Sequence, residues 1–365
     1  PDILSDIEGA SSPLCIKRDE LQELSKKALQ LLKECADGPQ DWKFIEDSTV
    51  ERLTEADLRR LGRATDRSKA DLETETKGVP FEVVSPILSG PDGLDQVHKT
   101  SLSLKSMGVQ AGLSQGLHVH VNARNDQAGG AVLTFQHVAW VWAAWAKYQL
   151  VIDEFLSPDR QGNFYATRLF VGSCHRPPWG DKTTGECERA KDVFRKLHEY
   201  AKLGHGGSDP RGLGDSGHLT EFLTALRKIE SPRYFQLNLY SLFKHGTLEF
   251  RCHSATYDSD RVLYWVQFLV AFVDHFSDEN AGMSAYFDDA DVEKDFDELA
   301  KAQKSATTAD LFAELRGKVA EKSQAFYSER LWEKDDDLCK PKHGDWVPFR
   351  ASSPTEGGEL VGGTD

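Results

Sequence analysis

The sequence is poor in basic residues and has no long apolar run. Its 365 residues include 44 Lys and Arg against 59 Asp and Glu, which gives a formal net charge of −15. Non-specific affinity for nucleic acid comes mostly from Lys and Arg that neutralise phosphates, so this balance argues against a nucleic-acid partner. No uninterrupted apolar stretch is long enough to cross a bilayer, and we therefore expect no membrane partner.

Several common sequence motifs are also missing. The six cysteines are scattered and include no Cys-x-x-Cys pair, which excludes a zinc ribbon and a thioredoxin-type site. The glycine-rich stretch 204–217 lacks a Gly-Lys-Ser/Thr ending, so it is not a Walker-type phosphate loop. Because reduced thiols are the default in a chain of this size, we expect a cytoplasmic location.

The hydrophobic patterns that are present predict an α+β fold. Strands and helices alternate without a regular βαβ rhythm, which favours a mainly antiparallel sheet flanked by helices. Strands are predicted at 42–47, 79–85, 117–122, 234–239 and 247–252, and long apolar helices at 137–156 and 258–276. Irregular structure is predicted at 172–187 and 204–217, and further helices at 93–107, 291–304 and 309–326.

Composition divides the chain into four predicted parts. They are an N-terminal helical segment (1–41), a main domain (42–276), an acidic helical extension (277–332) and a flexible tail (333–365). Residues 274–337 hold 18 Asp and Glu against 8 Lys and Arg, so most of the net negative charge lies beyond the main domain. The whole-chain charge therefore says little about any pocket in that domain.

Two histidines form the sharpest local feature of the main domain. Residues 116–121 read Gly-Leu-His-Val-His-Val, and in a strand His118 and His120 would project to one face while Val119 and Val121 project to the other. Adjacent imidazoles on one face suit a metal ion or an anionic ligand. The same pattern would also fit polar residues on the solvated face of an ordinary strand.

A second strand carries an acid, a guanidinium and an imidazole in line. Glu249, Arg251 and His253 share one face, whereas the alternate positions of the strand are apolar. Such a row is costly to bury unless it binds something. A carboxylate can ligate a hard cation, and Arg can recognise a carboxylate or phosphate with two parallel hydrogen bonds. An exposed cross-strand ion pair is the structural alternative.

Two further strands each place a polar residue in an apolar run. Glu82 alternates with apolar neighbours in the strand at 79–85, and Asn238 does so in the strand at 234–239. A hairpin-like turn is predicted at 244–246, before the strand at 247–252. Taken singly, Glu82 would face solvent and Asn238 would hydrogen-bond the neighbouring turn. The acids and histidines on other strands favour a functional role for Glu82.

Taken together and in this order, these strands resemble the amidoligase family, which is similar to glutamate–cysteine ligase and more distantly to glutamine synthetase. The motifs are Phe-Glu-Val-Val-Ser-Pro-Ile-Leu at 81–88, Gly-Leu-His-Val-His-Val at 116–121, Arg-Tyr-Phe-Gln-Leu-Asn-Leu at 233–239 and Gly-Thr-Leu-Glu-Phe-Arg at 246–251. Trp42 followed by Asp47 and Ser48 resembles an early element of the family. The resemblance covers residues 42–276.

The resemblance implies a glutamine synthetase-like sheet that curves around the active site of an ATP- and Mg²⁺-dependent ligase. Such an enzyme phosphorylates a small carboxylate and lets an amine displace the phosphate to leave an amide. Phosphoryl transfer between anions needs positive charge to offset the charge that develops. The implied roles are metal ligation by Glu82, His120 and Glu249, nucleotide contacts by Asn238, Arg233, His118 and Arg251, catalysis by Arg251 and Glu249, and substrate contacts by Asp47, Ser48 and His253.

Two alternatives to the ligase hypothesis remain open. The family's opening Gly-x-Glu-x-Glu strand has no match before Trp42, which favours a ligase-fold protein that binds ligands without catalysis. His118 and His120 could instead serve a metal-dependent hydrolase, although the chain contains no His-Glu-x-x-His motif. The sequence leaves the identity of the two substrates, the division of roles between His118 and His120, and the oligomeric state open.

Overall fold

A computed structural model describes most of the main domain and the helices that follow it. The described residues are 30, 41–46, 81–106, 109, 115–123, 133–156, 160, 166–169, 183–203, 216–229, 234–256 and 258–329. The predicted tail at 333–365 and nearly all of the predicted helical segment at 1–41 lie outside them. No helix in the described ranges has the length and hydrophobicity that crossing a membrane requires.

The described elements confirm an α+β fold with small antiparallel sheets. The strands are β1 (Lys43–Glu46), β2 (Phe81–Val84), β3 (Gly116–Asn122), β4 (Leu237–Asn238) and β5 (Thr247–Ser254). The helices are α1 (Gly90–Ser106), α2 (Phe135–Asp153), α3 (Thr183–Leu203), α4 (Ser216–Arg227), α5 (Ser241–His245), α6 (Ser259–Phe276), α7 (Val292–Ser305), α8 (Thr308–Glu314) and α9 (Glu321–Glu329). Two short 3-10 helices, Glu279–Ala281 and Met283–Phe287, lie between α6 and α7.

The described strands form two sheets. β1 pairs with β2, and β5 lies between β3 and β4 in a three-stranded sheet, with every pairing antiparallel. In the larger sheet Glu249 stands opposite His120 on one side and opposite Asn238 on the other. The register thus places these three side chains in one row across the sheet, with a pairing irregularity between Leu117 and Val119.

Helix α2 forms the centre of the core beneath this sheet. The sequence pattern places apolar residues on most of its faces, as in a buried helix, and Trp142 and Trp145 are fully buried. The Trp145 ring packs 4.9 Å from Phe250 of β5 and 5.5 Å from Phe272 of α6, measured between ring centroids. Aromatic burial therefore fixes the sheet against the two longest apolar helices.

Helices α3 and α4 occupy residues that the sequence pattern assigned in part to irregular structure. Helix α3 begins at Thr183 and α4 at Ser216, so the predicted irregular stretches 172–187 and 204–217 are wrong at their C-terminal ends. The helical spacing of apolar residues after these stretches was a signal that could have predicted the helices. Val193, Phe194 and Leu197 follow helical spacing and are buried in the core.

The chain also differs from prediction around two turns. The strand predicted at 234–239 is only Leu237–Asn238, and the hairpin turn predicted before β5 is the short helix α5, which ends at Gly246 with φ +67°. A glycine adopts this left-handed conformation at little steric cost. The helix predicted at 309–326 is two helices, α8 and α9, with Gly317 at φ +77° between them.

The helices that follow α6 share the core of the main domain. Phe155 stacks on Phe312 of α8 and on Tyr327 of α9, with centroid distances of 5.8 and 4.9 Å. Phe194 of α3 packs against Phe296 of α7 at 5.4 Å. These contacts bury the apolar faces of otherwise acidic helices, so the predicted extension packs directly on the main domain.

Candidate active site

Strand β5 separates apolar from polar side chains by simple alternation. Leu248, Phe250 and Cys252 are fully buried against the core, whereas Glu249 and Arg251 lie on the opposite face and contact each other. This is the face that the sequence pattern predicted for the acid and the guanidinium. The apolar face anchors the strand and thereby holds the polar face in place.

Glu249 is the centre of a cluster of polar contacts. Asn238 Nδ2 donates to Glu249 Oε2 at 2.6 Å, and Arg251 Nη1 donates to Glu249 Oε1. Asn238 Oδ1 accepts the backbone N–H of Tyr240 at 2.9 Å, which orients the amide. The Glu249 side chain is only 8% exposed, and such a buried carboxylate requires compensating partners.

The charges around Glu249 keep it ionised. Burial alone would raise the pKa of this carboxyl, but Arg251, the two histidines and the Asn238 hydrogen bond together hold it below its ordinary value. The carboxylate is therefore a fixed negative charge paired with a fixed guanidinium. Charge-assisted hydrogen bonds of this kind are short and set side-chain orientation strongly.

Both strand histidines approach the same oxygen of Glu249. His118 Nδ1 lies 3.4 Å and His120 Nε2 lies 3.9 Å from Oε1, so the two rings share the face predicted for them. Burial, with the Arg251 charge next in size, lowers the pKa of His118 to about 4 despite the opposing effect of Glu249. Burial also lowers the pKa of His120. Both imidazoles are therefore neutral near pH 7.

The sequence reasoning missed two hydroxyl groups that orient His120. Its Nδ1 atom lies 2.8 Å from Thr247 Oγ1 and 3.1 Å from Ser241 Oγ, and the two hydroxyl oxygens are 2.7 Å apart. Ser241 begins α5 and Thr247 begins β5, so the chain reversal brings both to one ring. The polar residues on either side of the predicted turn were the signal that could have found them.

Arg160 was also missed, and it explains the glycine that opens β3. A Cβ atom at Gly116 would lie 3.1 Å from His118 Nε2 and 3.3 Å from Arg160 Nη2, both tighter than usual contacts. Arg160 is 2% exposed, and its charge contributes to the lowered pKa of His118. The glycine thus allows the backbone to approach an imidazole and a guanidinium closely.

The other residues predicted for the site differ in their surroundings, and some of them lie outside the described residues. The His253 ring packs against Trp265 with centroids 5.2 Å apart, and its Nδ1 atom lies 2.7 Å from the Ser254 carbonyl oxygen. Glu82 is exposed on β2 in the two-stranded sheet. Asp47, Ser48 and Arg233 lie outside the described residues.

The described part of the cluster does not by itself form a site for a resident metal ion. Mg²⁺ prefers octahedral coordination by oxygen atoms, whereas the cluster offers one carboxylate whose Oε1 atom already accepts from Arg251, together with two imidazoles. Within the part of the chain that the structure describes, no group of three or more His, Cys, Asp or Glu side chains is placed to hold a metal ion. The described donor set alone therefore does not fit Mg²⁺.

Comparison with known families defines the class of protein. The model of a family described as "Putative amidoligase enzyme", a class of amide-forming ligases, matches residues 15–273. The chain belongs to this amidoligase family, as its strand motifs predicted, and the match contains the whole Glu249 cluster. Searches of curated proteins and of solved structures return no match.

Proposed function

We propose that the protein is an ATP-dependent carboxylate–amine ligase that forms an amide bond through an acyl phosphate. Its substrates are MgATP, a small carboxylate and an amine. The observation that carries the proposal is the row of Asn238, Glu249 and His120 across the sheet, with Arg251 and His118 on the same carboxylate and all of them inside the family match. The free, buried thiol of Cys252 agrees with the cytoplasmic location included in this proposal.

Arg251 is proposed to stabilise the phosphoryl group in the first step. A substrate carboxylate oxygen attacks the γ-phosphorus of ATP, the bond to the β-phosphate oxygen breaks and ADP leaves. The transferred group carries negative charge on its oxygens, and a fixed guanidinium offsets it without reorganisation. Glu249 would hold that guanidinium, which is 18% exposed at the side chain, while Asn238 fixes the other oxygen of Glu249.

The neutral histidines suit the second step. The amine attacks the acyl carbon, phosphate leaves with the electron pair of the broken C–O bond, and the nitrogen must lose a proton. A neutral imidazole can accept that proton and adds no positive charge beside Arg251 before the reaction. His118 and His120 are both candidates, and His118 and Asn238 are also proposed to contact the nucleotide.

Mg²⁺ enters this proposal as the ion that accompanies ATP. Glu249 and His120 are the described residues proposed to face it, and the phosphate oxygens would supply most of the remaining ligands. Glu82 is given no metal-binding role because it lies exposed on the other sheet. No step of the proposed reaction depends on a resident metal ion.

The proposal is tested by a substrate screen with the full chain. Purified protein is incubated with ATP, Mg²⁺ and pools of amino acids, other amines and small carboxylates, while ADP, phosphate and product masses are measured. We expect ADP and phosphate release that depends on one carboxylate and one amine, and an amide product. Glu249→Gln should abolish this release, whereas Glu321→Gln, at an exposed position on α9, should leave it unchanged. Turnover by Glu249→Gln would overturn the assigned role.

A second candidate function is ligand binding without catalysis. It is favoured by the single carboxylate in the described cluster. ATP binding measured by calorimetry separates the two candidates. Saturable binding of ATP with no turnover in any substrate pool would favour the binding protein, and the absence of ATP binding would overturn the ligase proposal.

A further inference from the structure

A polar pocket lies on the other side of helix α2, away from the Glu249 cluster. Its volume is about 600 Å³, within the usual range for small-molecule sites. Lys147 and Tyr148 of α2 form one wall, and Tyr286 and residues of α7 and α8 form the others. Trp145 of the same helix packs on Phe250, whose side chain lies on the face of β5 opposite to Glu249.

This pocket combines the matched family domain with residues beyond it. Lys147 and Tyr148 lie within the family match, which ends at residue 273, whereas Asp310 and Glu314 lie beyond it. Gln303 of α7 fixes the two parts together because its Nε2 atom donates to the Ala146 carbonyl oxygen at 2.7 Å. The pocket therefore belongs to this chain's arrangement of helices and not to the family's sheet motifs.

The α2 wall carries a hydroxyl without a hydrogen-bond partner and an ammonium group without an ion-pair partner among the described residues. The Tyr148 side chain is fully buried, lines the pocket and has a hydroxyl that forms no hydrogen bond with any described residue. Lys147 is partly buried, with its Nζ atom 4.7 Å from the centroid of the Tyr148 ring, and it forms no ion pair within the described part of the chain. Lys147 is thus a positively charged group on this wall without a carboxylate partner among the described residues.

The α8 wall carries two carboxylates that other contacts hold in place. Asp310 Oδ2 accepts the backbone N–H of Thr307 at 2.9 Å, and Glu314 Oε2 lies 3.1 Å from His275 Nε2. The second oxygen of each carboxylate takes no hydrogen bond from a described residue. Lys147 thus contributes positive charge on the α2 wall, and Asp310 and Glu314 contribute negative charge on the α8 wall. Among the described residues, no direct ion pair joins the two walls.

We propose that this pocket binds a zwitterionic ligand of amino-acid or dipeptide size. The ligand carboxylate contacts Lys147 Nζ, and its ammonium group contacts Asp310 and Glu314. A simple amine would leave Lys147 unpaired, and a simple carboxylate would meet two like charges, so only a ligand with both groups satisfies both walls. Burial lowers the pKa of Lys147, while the nearby charges of Glu314 and Asp310 oppose that shift.

Binding of L-alanyl-L-alanine to the full-length protein tests this site, with ligand-detected NMR titration as the measurement. The N-acetylated peptide lacks the ammonium group, and the peptide amide lacks the carboxylate. We expect each to bind about tenfold more weakly than the zwitterion, because each loses one charge-assisted contact. Equal binding of the three peptides, or no saturable binding up to about 10 mM zwitterion, would overturn the proposal.

Variants locate the binding in this pocket. Lys147→Met keeps the aliphatic stem and should weaken zwitterion binding about tenfold. It should not weaken binding of the cationic peptide amide, a result that a misfolded variant would not give. Lys301→Met, at an exposed position on α7, is the matched control and should bind like the wild type. Unchanged zwitterion affinity in Lys147→Met would overturn the assignment.

One further variant separates this pocket from the ligase site. Glu249→Gln removes the carboxylate at the centre of the cluster on the other side of α2 and should bind L-alanyl-L-alanine with wild-type affinity. Loss of binding in Glu249→Gln would place the peptide at the cluster and contradict the proposal. Because the readout is binding, it stands whether or not the protein turns over ATP.

Discussion

The two faces of strand β5 differ in what they contribute to the protein. The face formed by Leu248, Phe250 and Cys252 is fully buried and packs on α2, whereas the opposite face carries Glu249 and Arg251. Apolar burial stabilises the fold, and a buried ion pair recovers little more than its own desolvation cost. The comparison indicates that substitutions on one face should affect stability and those on the other should affect activity.

Arg251→Lys should have the largest effect on the polar face. A lysine keeps the positive charge but cannot reproduce the fixed fork of donors that a guanidinium offers to a carboxylate and a phosphoryl group. Given the proposed ligase activity, turnover should fall about 100-fold or more. The measurement is ADP release per folded molecule, with Arg316→Lys at an exposed position as control. Near-normal turnover would show that Arg251 has a structural role only.

Phe250→Ala should have the largest effect on the apolar face. The ring is fully buried and packs 4.9 Å from Trp145, so its removal leaves a cavity in the core. The expected loss in the free energy of unfolding is about 3–5 kcal/mol, measured by denaturant titration. At a temperature where the variant stays folded, turnover should fall much less than in Arg251→Lys. Equal losses of turnover would remove the distinction between the two faces.

The pH dependence of stability tests the environment of His253, the third polar residue that the sequence pattern predicts on one face of β5. Burial lowers its pKa from the ordinary 6.5 to about 4, with the charges of Arg261 and Arg160 adding to the shift and the Ser254 carbonyl opposing it. Between these two pH values the unfolded chain binds a proton that the folded protein excludes, so the free energy of unfolding should fall as the pH falls from 6.5 to about 4.

His253→Phe should reduce this pH dependence, because the ring still packs on Trp265 but cannot be protonated. His253→Gln should reduce it equally while losing the ring contact, which separates protonation from packing. Denaturant titrations at several pH values provide the measurement. A slope in both variants equal to that of the wild type would contradict the assignment to His253.

Ser241→Ala should have a smaller effect on turnover, because Ser241 orients His120 and does not hydrogen-bond Glu249 or Arg251 directly. The Ser241 hydroxyl contacts His120 and Thr247, so its loss leaves Thr247 as the hydroxyl partner of the ring. One hydrogen bond is worth about 1 kcal/mol, which corresponds to about a fivefold loss of turnover. Ser241→Thr keeps the hydroxyl and should recover most of that loss. No recovery would indicate a packing role for this side chain.

Sequence alternation was sufficient to predict which residues share a face but not which residues meet across strands. The common face of Glu249 and Arg251, and that of His118 and His120, follow from the period of a strand. Their convergence on one oxygen depends on the register of β3 against β5, which non-local packing sets. The contacts of Ser241 with His120 depend on α5, which replaced a predicted turn and had no strong local signal.

Glu82→Gln should have the smallest effect, and it compares the polar faces of the two sheets. Glu82 and Glu249 come from similar motifs, in which a single acid alternates with apolar residues. The structure nevertheless leaves Glu82 exposed, with Phe81 and Val83 packed beside Phe44 on the other face of β2.

Removing one exposed charge should change the free energy of unfolding by less than about 0.5 kcal/mol, and turnover and the Mg²⁺ concentration for half-maximal activity should stay unchanged. A raised Mg²⁺ requirement in Glu82→Gln would show instead that Glu82 approaches the nucleotide-bound ion during turnover. The metal role that the family resemblance implies for Glu82 would then hold, and polar residues of both sheets would contribute to one site.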